Sequence, residues 1–196
     1  MFFNRSSGLN ECMVQHLKAA LRKDLLAKRD ALSGAHIASM SDAIMEKLFS
    51  RPRFTEAKTV AFYIPKGNEV DTENMIGYAI RLGKEVLVPV TDHKITFVRF
   101  HSFTDLRPGK YGIMEPSKRE EIGIEPDAVV VPGVAFGLCM HRLGYGKGYY
   151  DRYLADSSAY RIGLCYDFQV VERLPTHEND ERMDEIVTEK RVISLM

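Results

Sequence analysis

Leucines recur at helical spacing near the start of the chain. Leu17, Leu21, Leu25, Leu26 and Leu32 fall close to a 3.6-residue period, with basic residues between them. This pattern predicts a helix from about Glu11 to Leu32, stopped by Ser33-Gly34, and a second from about His36 to Phe49. Pro52 breaks the chain before a first strand, KTVAFYIP (58–65). DTENMIGYAIRLG (71–83) reads as a helix marked at both ends, with Asp71 and Thr72 as candidate caps and Gly83 as the stop. EVLVPV (85–90) and ITFVRF (95–100) predict strands, the second alternating apolar and polar positions. The stretch 106–126 has Pro or Gly at nearly every bend and predicts loop. DAVVVPG (127–133) and YRIGLCYD (160–167) are apolar runs suited to strands buried on both faces. A helix is expected from about Lys147 to Ala155, and MDEIVTE (183–189) and RVISLM (191–196) read as a closing pair of strands.

Strands separated by helices of this length indicate an α/β fold with a mostly parallel sheet. No repeat, low-complexity stretch or linker divides the chain, so a single domain is expected over residues 1–196, with about 1–12 as a ragged, poorly ordered extension. Lys plus Arg and Asp plus Glu both number 27, giving zero formal net charge, whereas a dedicated nucleic-acid binder shows a basic excess. No run of about 18 apolar residues predicts a membrane span, and the opening MFFNRSSGLNE lacks the apolar core of a secretory signal. Cys12, Cys139 and Cys165 are widely spaced, with no CxxC pair, which fits a reducing, cytoplasmic setting.

The candidate chemistry lies in RLGYGKGYYDRYL (142–154). Its G-x-G-x-G spacing matches neither a Walker A loop nor a dinucleotide fingerprint. Glycine turns of this kind often serve only the backbone. Here, however, the turn follows a buried strand and opens a helix, so free amides and the helix dipole favour an anion. Lys147 adds a point charge and Arg142 a fork of donors suited to phosphate. Asp151 falls in the first helical turn, where it is either a favourable helix-start charge or an oxygen ligand for Mg²⁺. Of the adjacent Tyr149 and Tyr150, one is expected in the core while the other lines a pocket.

Together with VVVPGVAF before it, this segment resembles the 5-formyltetrahydrofolate cyclo-ligase (5,10-methenyltetrahydrofolate synthetase) family. LKAALRKDLLAKRDAL (17–32), VAFYIPKGNEVDT (60–72), YGIMEP (111–116) and LPTHENDERMDEIVTE (174–189) are similar to further family segments, in order, so the resemblance spans roughly 17–190. It implies a three-layer α/β/α sandwich related to the ribose-phosphate isomerase and CoA-transferase group. It also implies ATP- and Mg²⁺-dependent cyclisation of 5-formyltetrahydrofolate to 5,10-methenyltetrahydrofolate by a monomer acting on small molecules, with no nucleic acid or membrane as partner.

The resemblance assigns residues as well. Lys18 and Arg22, four apart on one helix face, would contact ATP with Arg142, Leu143, Gly144, Tyr145, Gly146, Lys147, Gly148, Tyr149 and Tyr150; Lys28 and Arg29 are weaker candidates. Lys147 and Arg142 would serve catalysis. Glu69 would face the pterin with Tyr149 stacking near the folate, and Asp151 and Asp180 would hold the metal, with Asp184 close enough to be confused with Asp180. His177 reads as a loop residue. In the family pattern an Asp follows VAF and a Gly comes three residues later, whereas this chain has Gly137 and Met140. That departure leaves open a related pterin or another formylated amine as substrate. The basic first helix leaves open a non-catalytic nucleotide- or RNA-binding module.

Overall fold

The structure is a computed structural model that describes residues 5–119 and 123–195, with side chains from Cys12 onward, Tyr111 excepted. The expected extension is therefore partly helical. Helix α1 runs Arg5–Asp30, starting before the predicted Glu11, and residues 1–4 lie outside the described residues. Helix α2 (Gly34–Phe49) is capped by the Ser33 side chain, which accepts from the His36 amide. Pro52 does not break the chain; it occupies the first turn of a short helix α3 (Pro52–Glu56), where its missing N–H costs nothing.

Strand β1 is only Thr59–Ala61, shorter than the apolar run 58–65; the Phe62 amide still donates to the Leu87 carbonyl of β2, and Tyr63 and Ile64 then reach the cavity. Helix α4 (Glu73–Arg81), β2 (Glu85–Thr91) and β3 (Ile95–Arg99) follow as expected. The stretch predicted as loop contains a hairpin, β4 (Leu106–Pro108) against β5 (Met114–Pro116). Its prolines fall at the strand ends, where no ladder donor is lost. Then come β6 (Ala128–Pro132), β7 (Ala135–Gly137), β8 (Arg142–Leu143), α5 (Tyr149–Ala155), β9 (Tyr160–Leu164), β10 (Val170–Val171), β11 (Glu185–Val187) and β12 (Val192–Ser194).

Seven strands form the central sheet in the order β12-β11-β9-β6-β1-β2-β3. The five inner strands are parallel, and β3 and β12 pair antiparallel at the two edges. Side-chain alternation along the strands divides the core into two faces. Val60, Phe62, Val88 and Val130 point to one face, where Ile44 and Leu48 of α2, Phe54 of α3 and Met75 and Ile76 of α4 cover them. Ala61, Leu87, Val129 and Val131 point to the other, against Leu154 of α5, Phe136, Met140 and Met183. The three-layer α/β/α arrangement is thus present with unequal outer layers. The second layer has one two-turn helix, supplemented by a small sheet β10-β7-β8.

Helix α1 docks on that small sheet through Leu25, which packs with Val134, Ala135 and Leu143. Its inward face mixes the apolar Leu21, Leu25 and Leu26 with Lys18, Arg22 and Arg29, whereas Leu17 of the predicted apolar set is 52% exposed. Hydrophobic periodicity located this helix, and apolar contacts, ion pairs and hydrogen bonds together fix the face it presents.

Candidate functional site

From β1 the chain passes to β2 on one side of the sheet and later to β6 on the other, so the strand order reverses between β1 and β6. Such a reversal opens a crevice at the carboxyl ends of the strands. A cavity of about 430 Å³ occupies this position. Tyr63 and Ile64 beyond β1, Pro89 and Thr91 of β2 and Pro132 of β6 form its floor. Lys18 and Arg22 of α1, Glu69, residues 142–151, His177 and Asp180 complete the walls.

The glycine-rich turn lies along one wall. Gly146 (φ 94°) and Gly148 (φ 63°) both occupy the left-handed region, which reverses the chain between β8 and α5 without a Cβ penalty. Arg22 Nε donates to the Gly144 carbonyl at 2.7 Å, so the turn is pinned to α1. Helix α5 starts at Tyr149, two residues later than predicted, and spans only seven residues. Its dipole is accordingly small, and the positive potential of the turn comes mainly from side chains. Arg142 is 5% exposed with its Nη2 3.0 Å from Asp151 Oδ1 and its guanidinium over the Tyr150 ring. Burial lowers the Arg142 pKa, with Asp151, Tyr150 and Asp180 opposing, and leaves it a cation at neutral pH. Lys147 is exposed at the cavity mouth.

Three buried polar atoms at this wall have unmet capacity: Arg142 Nε, the Tyr150 hydroxyl and Asp151 Oδ1. Arg142 Nη2 is 3.0 Å from Asp151 Oδ1, and a carboxylate oxygen beside one cation keeps capacity for a further partner. Buried polar groups in native proteins are seldom left unmatched, so these point to a polar ligand. The acidic donor set also suits Mg²⁺, which takes one or two carboxylates and completes its octahedron with phosphate oxygens and water. Among the described residues no cluster of three or more His, Cys, Asp or Glu would hold a metal with protein ligands alone.

Asp180 reaches the same cavity from the loop between β10 and β11. Its Oδ2 accepts from Lys18 Nζ at 2.5 Å and from the His177 amide at 2.8 Å. Partial burial alone would raise its carboxyl, but Lys18 and the His177 amide hold it below the ordinary range. Asp184 lies elsewhere, accepting from the Arg161 amide at 2.7 Å and lining no part of the cavity, so geometry separates the two acids. His177 is a loop residue, as expected, with Nε2 3.0 Å from Gln15 Nε2.

Glu69 sits at another wall, 6% exposed. Oε1 accepts from the Tyr145 hydroxyl at 2.7 Å and Oε2 from the Lys66 amide at 2.9 Å. Burial pushes its pKa up, and Tyr145, Arg29 and Lys66 pull it back in part. Arg29, taken as a weaker ATP contact, is found here instead, with Nη2 2.6 Å from the Tyr145 hydroxyl. Lys28 is not brought to the site; it pairs with Asp24 on the exposed side of α1 at 2.8 Å. Tyr149 and Tyr150 both line the cavity; the Tyr149 ring lies under Arg152, 5.1 Å away, and the Tyr150 hydroxyl is buried. Gly137 and Met140 do not line the cavity, and Met140 is fully buried behind it with φ 68°. Sequence reasoning missed the apolar floor, whose only signal was the carboxyl ends of the two apolar strand runs.

The comparisons bear on the same residues. A solved structure from Aquifex aeolicus, a 5,10-methenyltetrahydrofolate synthetase, is 41% identical with a TM-score of 0.81, covering 91% of this chain and 93% of that one. A probable 5-formyltetrahydrofolate cyclo-ligase of Schizosaccharomyces pombe is 31% identical across 90% of this chain and 97% of its own length. The Escherichia coli (strain K12) 5-formyltetrahydrofolate cyclo-ligase is 31% identical across 84% and 96%. The sequence model of the 5-formyltetrahydrofolate cyclo-ligase family matches residues 14–189, from α1 to the end of β11 and just beyond. A match of that extent, over a structure with the same fold as a solved synthetase, makes this chain a member of the 5-formyltetrahydrofolate cyclo-ligase family.

Proposed function

We propose that the protein converts 5-formyltetrahydrofolate to 5,10-methenyltetrahydrofolate, consuming ATP and releasing ADP and phosphate. The observation that carries this reading is one cavity with two chemically different walls. Lys18, Arg22, Arg142 and Lys147 converge beside a glycine turn on one wall, and the buried Glu69 stands at another. The first suits a polyphosphate, and the second suits a ring whose N–H groups donate to a carboxylate.

A formamide is a poor electrophile until its oxygen becomes a leaving group. In this reading the formyl oxygen attacks the γ-phosphorus as ADP departs. N10 of the folate then attacks the formyl carbon, and the C–O bond breaks to release phosphate with loss of the N10 proton. Phosphoryl transfer needs positioning and cations more than covalent help. Lys147 and Arg142 would offset charge on the transferred group, and Lys18 and Arg22 would hold the rest of the polyphosphate. Asp151, with Asp180 as the second acidic position, would hold Mg²⁺, which when bound neutralises phosphate charge. Tyr149 would stack near the folate. Three scattered free cysteines fit a reducing, cytoplasmic setting, and among the described residues no helix is long and apolar enough to cross a membrane.

The test is an absorbance assay for methenyltetrahydrofolate with 5-formyltetrahydrofolate, ATP and Mg²⁺, beside a control lacking ATP. Product that requires Mg-ATP supports the reading. Folded protein that binds ATP yet makes no product overturns it.

A further inference from the structure

The Tyr145 ring is half exposed in the glycine turn, yet its hydroxyl reaches inward to Glu69, 76 positions earlier in the chain. Arg29 Nη2 lies 2.6 Å from that hydroxyl oxygen. A guanidinium has five donors and no acceptor, so it must donate to the tyrosine oxygen. The single phenolic proton is then directed to Glu69 Oε1, because only the carboxylate accepts there. The order of donation, Arg29 to Tyr145 to Glu69, is therefore fixed by chemistry. Oε2 is held separately by the Lys66 amide. Each carboxylate oxygen keeps a second lone-pair position, and Glu69 lines the cavity.

We propose that Tyr145, backed by Arg29, is a positioning residue that orients the Glu69 carboxylate toward the folate, so that a residue of the nucleotide-side turn serves the second substrate. This rests on the cyclo-ligase reading for the identity of the ligand. The arrangement itself stands on geometry. Arg29 and Glu69 have side chains only 5% and 6% exposed, with Arg29 Nη1 3.8 Å from Oε1. Tyr145 therefore closes a part-buried three-residue chain joining α1, the glycine turn and the loop after β1.

Other groups face Glu69 from every element packed around it. They are Lys66 on its own loop, Tyr63 after β1, Tyr150 on α5 and Tyr166 after β9, whose hydroxyl donates to the Glu69 carbonyl. Burial raises the phenols of Tyr63, Tyr150 and Tyr166, so they stay neutral where a carboxylate titrates. Tyr145 and Arg29 are the two side chains whose hydrogen bond or charge lowers the Glu69 carboxyl most. Removing the Tyr145 hydroxyl should move its midpoint to higher pH.

Tyr145→Phe keeps the ring and deletes the hydroxyl. Two measurements test the inference. Carboxyl ¹³C NMR on the free protein, with the Glu69 signal assigned by its loss in Glu69→Gln, should show the Glu69 midpoint higher in Tyr145→Phe than in wild type. In the assay, the folate Michaelis constant should rise about tenfold, the acid limb of kcat/KM for folate should move to higher pH, and the ATP constant should stay within about twofold. An unchanged midpoint, or a rise in the ATP constant with the folate constant intact, overturns the inference. If the free-protein midpoint moves but wild type makes no product from 5-formyltetrahydrofolate, the positioning contact stands and the cyclo-ligase reading fails with the ligand it supplied.

Discussion

Arg142 and Lys147 carry the same formal charge five positions apart, yet substitution near each should have a different result. Arg142 is buried against Asp151, so the pair is structural as well as functional. Asp151→Asn keeps the shape but leaves a buried guanidinium without its counter-charge, which costs more than losing an exposed pair. It should reduce Mg-ATP-dependent turnover by about 10²-fold or more and also lower the melting temperature by several degrees, at about 2–4 °C per kcal/mol for a chain of this size. Lys147→Met should reduce turnover by a similar factor, about 10²-fold, while leaving the melting temperature within about 1 °C, because Lys147 is exposed. Differential scanning fluorimetry beside the absorbance assay separates the two. Equal melting shifts in both variants would count against the buried-pair account.

At the scale of elements, the strongly apolar strands β2, β6 and β9 were legible because a strand buried on both faces needs an uninterrupted apolar run. The hairpin β4–β5 and the small sheet were not, since strands of two or three residues carry no period to read. The turn between β7 and β8 shows how local and tertiary demands conflict. Met140 takes φ 68°, a left-handed conformation costing an ordinary side chain about 1 kcal/mol or more. Its side chain is fully buried with Phe136, Leu154 and Met183. Met140→Gly would relieve the strain but empty a core site, and truncating a buried Met costs about 2–5 kcal/mol. Packing should win, giving net destabilisation of about 1–4 kcal/mol by urea unfolding. Because Met140 does not line the cavity, the Michaelis constants should be unchanged. A more stable variant would mean that strain outweighs packing here.

For the whole molecule, the glycine turn, Lys18, Arg22 and Asp151 were legible as residues, but their partnerships were not. Lys18 and Asp180 are 162 positions apart, and nothing in a single sequence couples positions across that distance. That pair is one of several polar ties holding α1 over the cavity, among them Arg22 on the Gly144 carbonyl, Arg29 on Tyr145 and Gln15 beside His177. Asp180 gives the first tie a pH dependence. Burial raises its carboxyl, but Lys18 and the His177 amide more than reverse this, so its folded pKa lies below the unfolded value of about 3.9. The stabilisation is therefore complete above the unfolded value and is lost as pH falls through the folded one. Hydrogen exchange along residues 12–22 should be slow and constant from about pH 8 to 5, once corrected for the intrinsic rate, and should quicken below about pH 4. Asp180→Ala should show the faster exchange already at pH 7, while β6 and β9 stay protected. It should also weaken ATP binding, because the segment that loosens carries Lys18 and Arg22. If Asp180→Ala exchanged like wild type at pH 7, α1 would be held by its apolar contacts around Leu25 and its remaining polar ties.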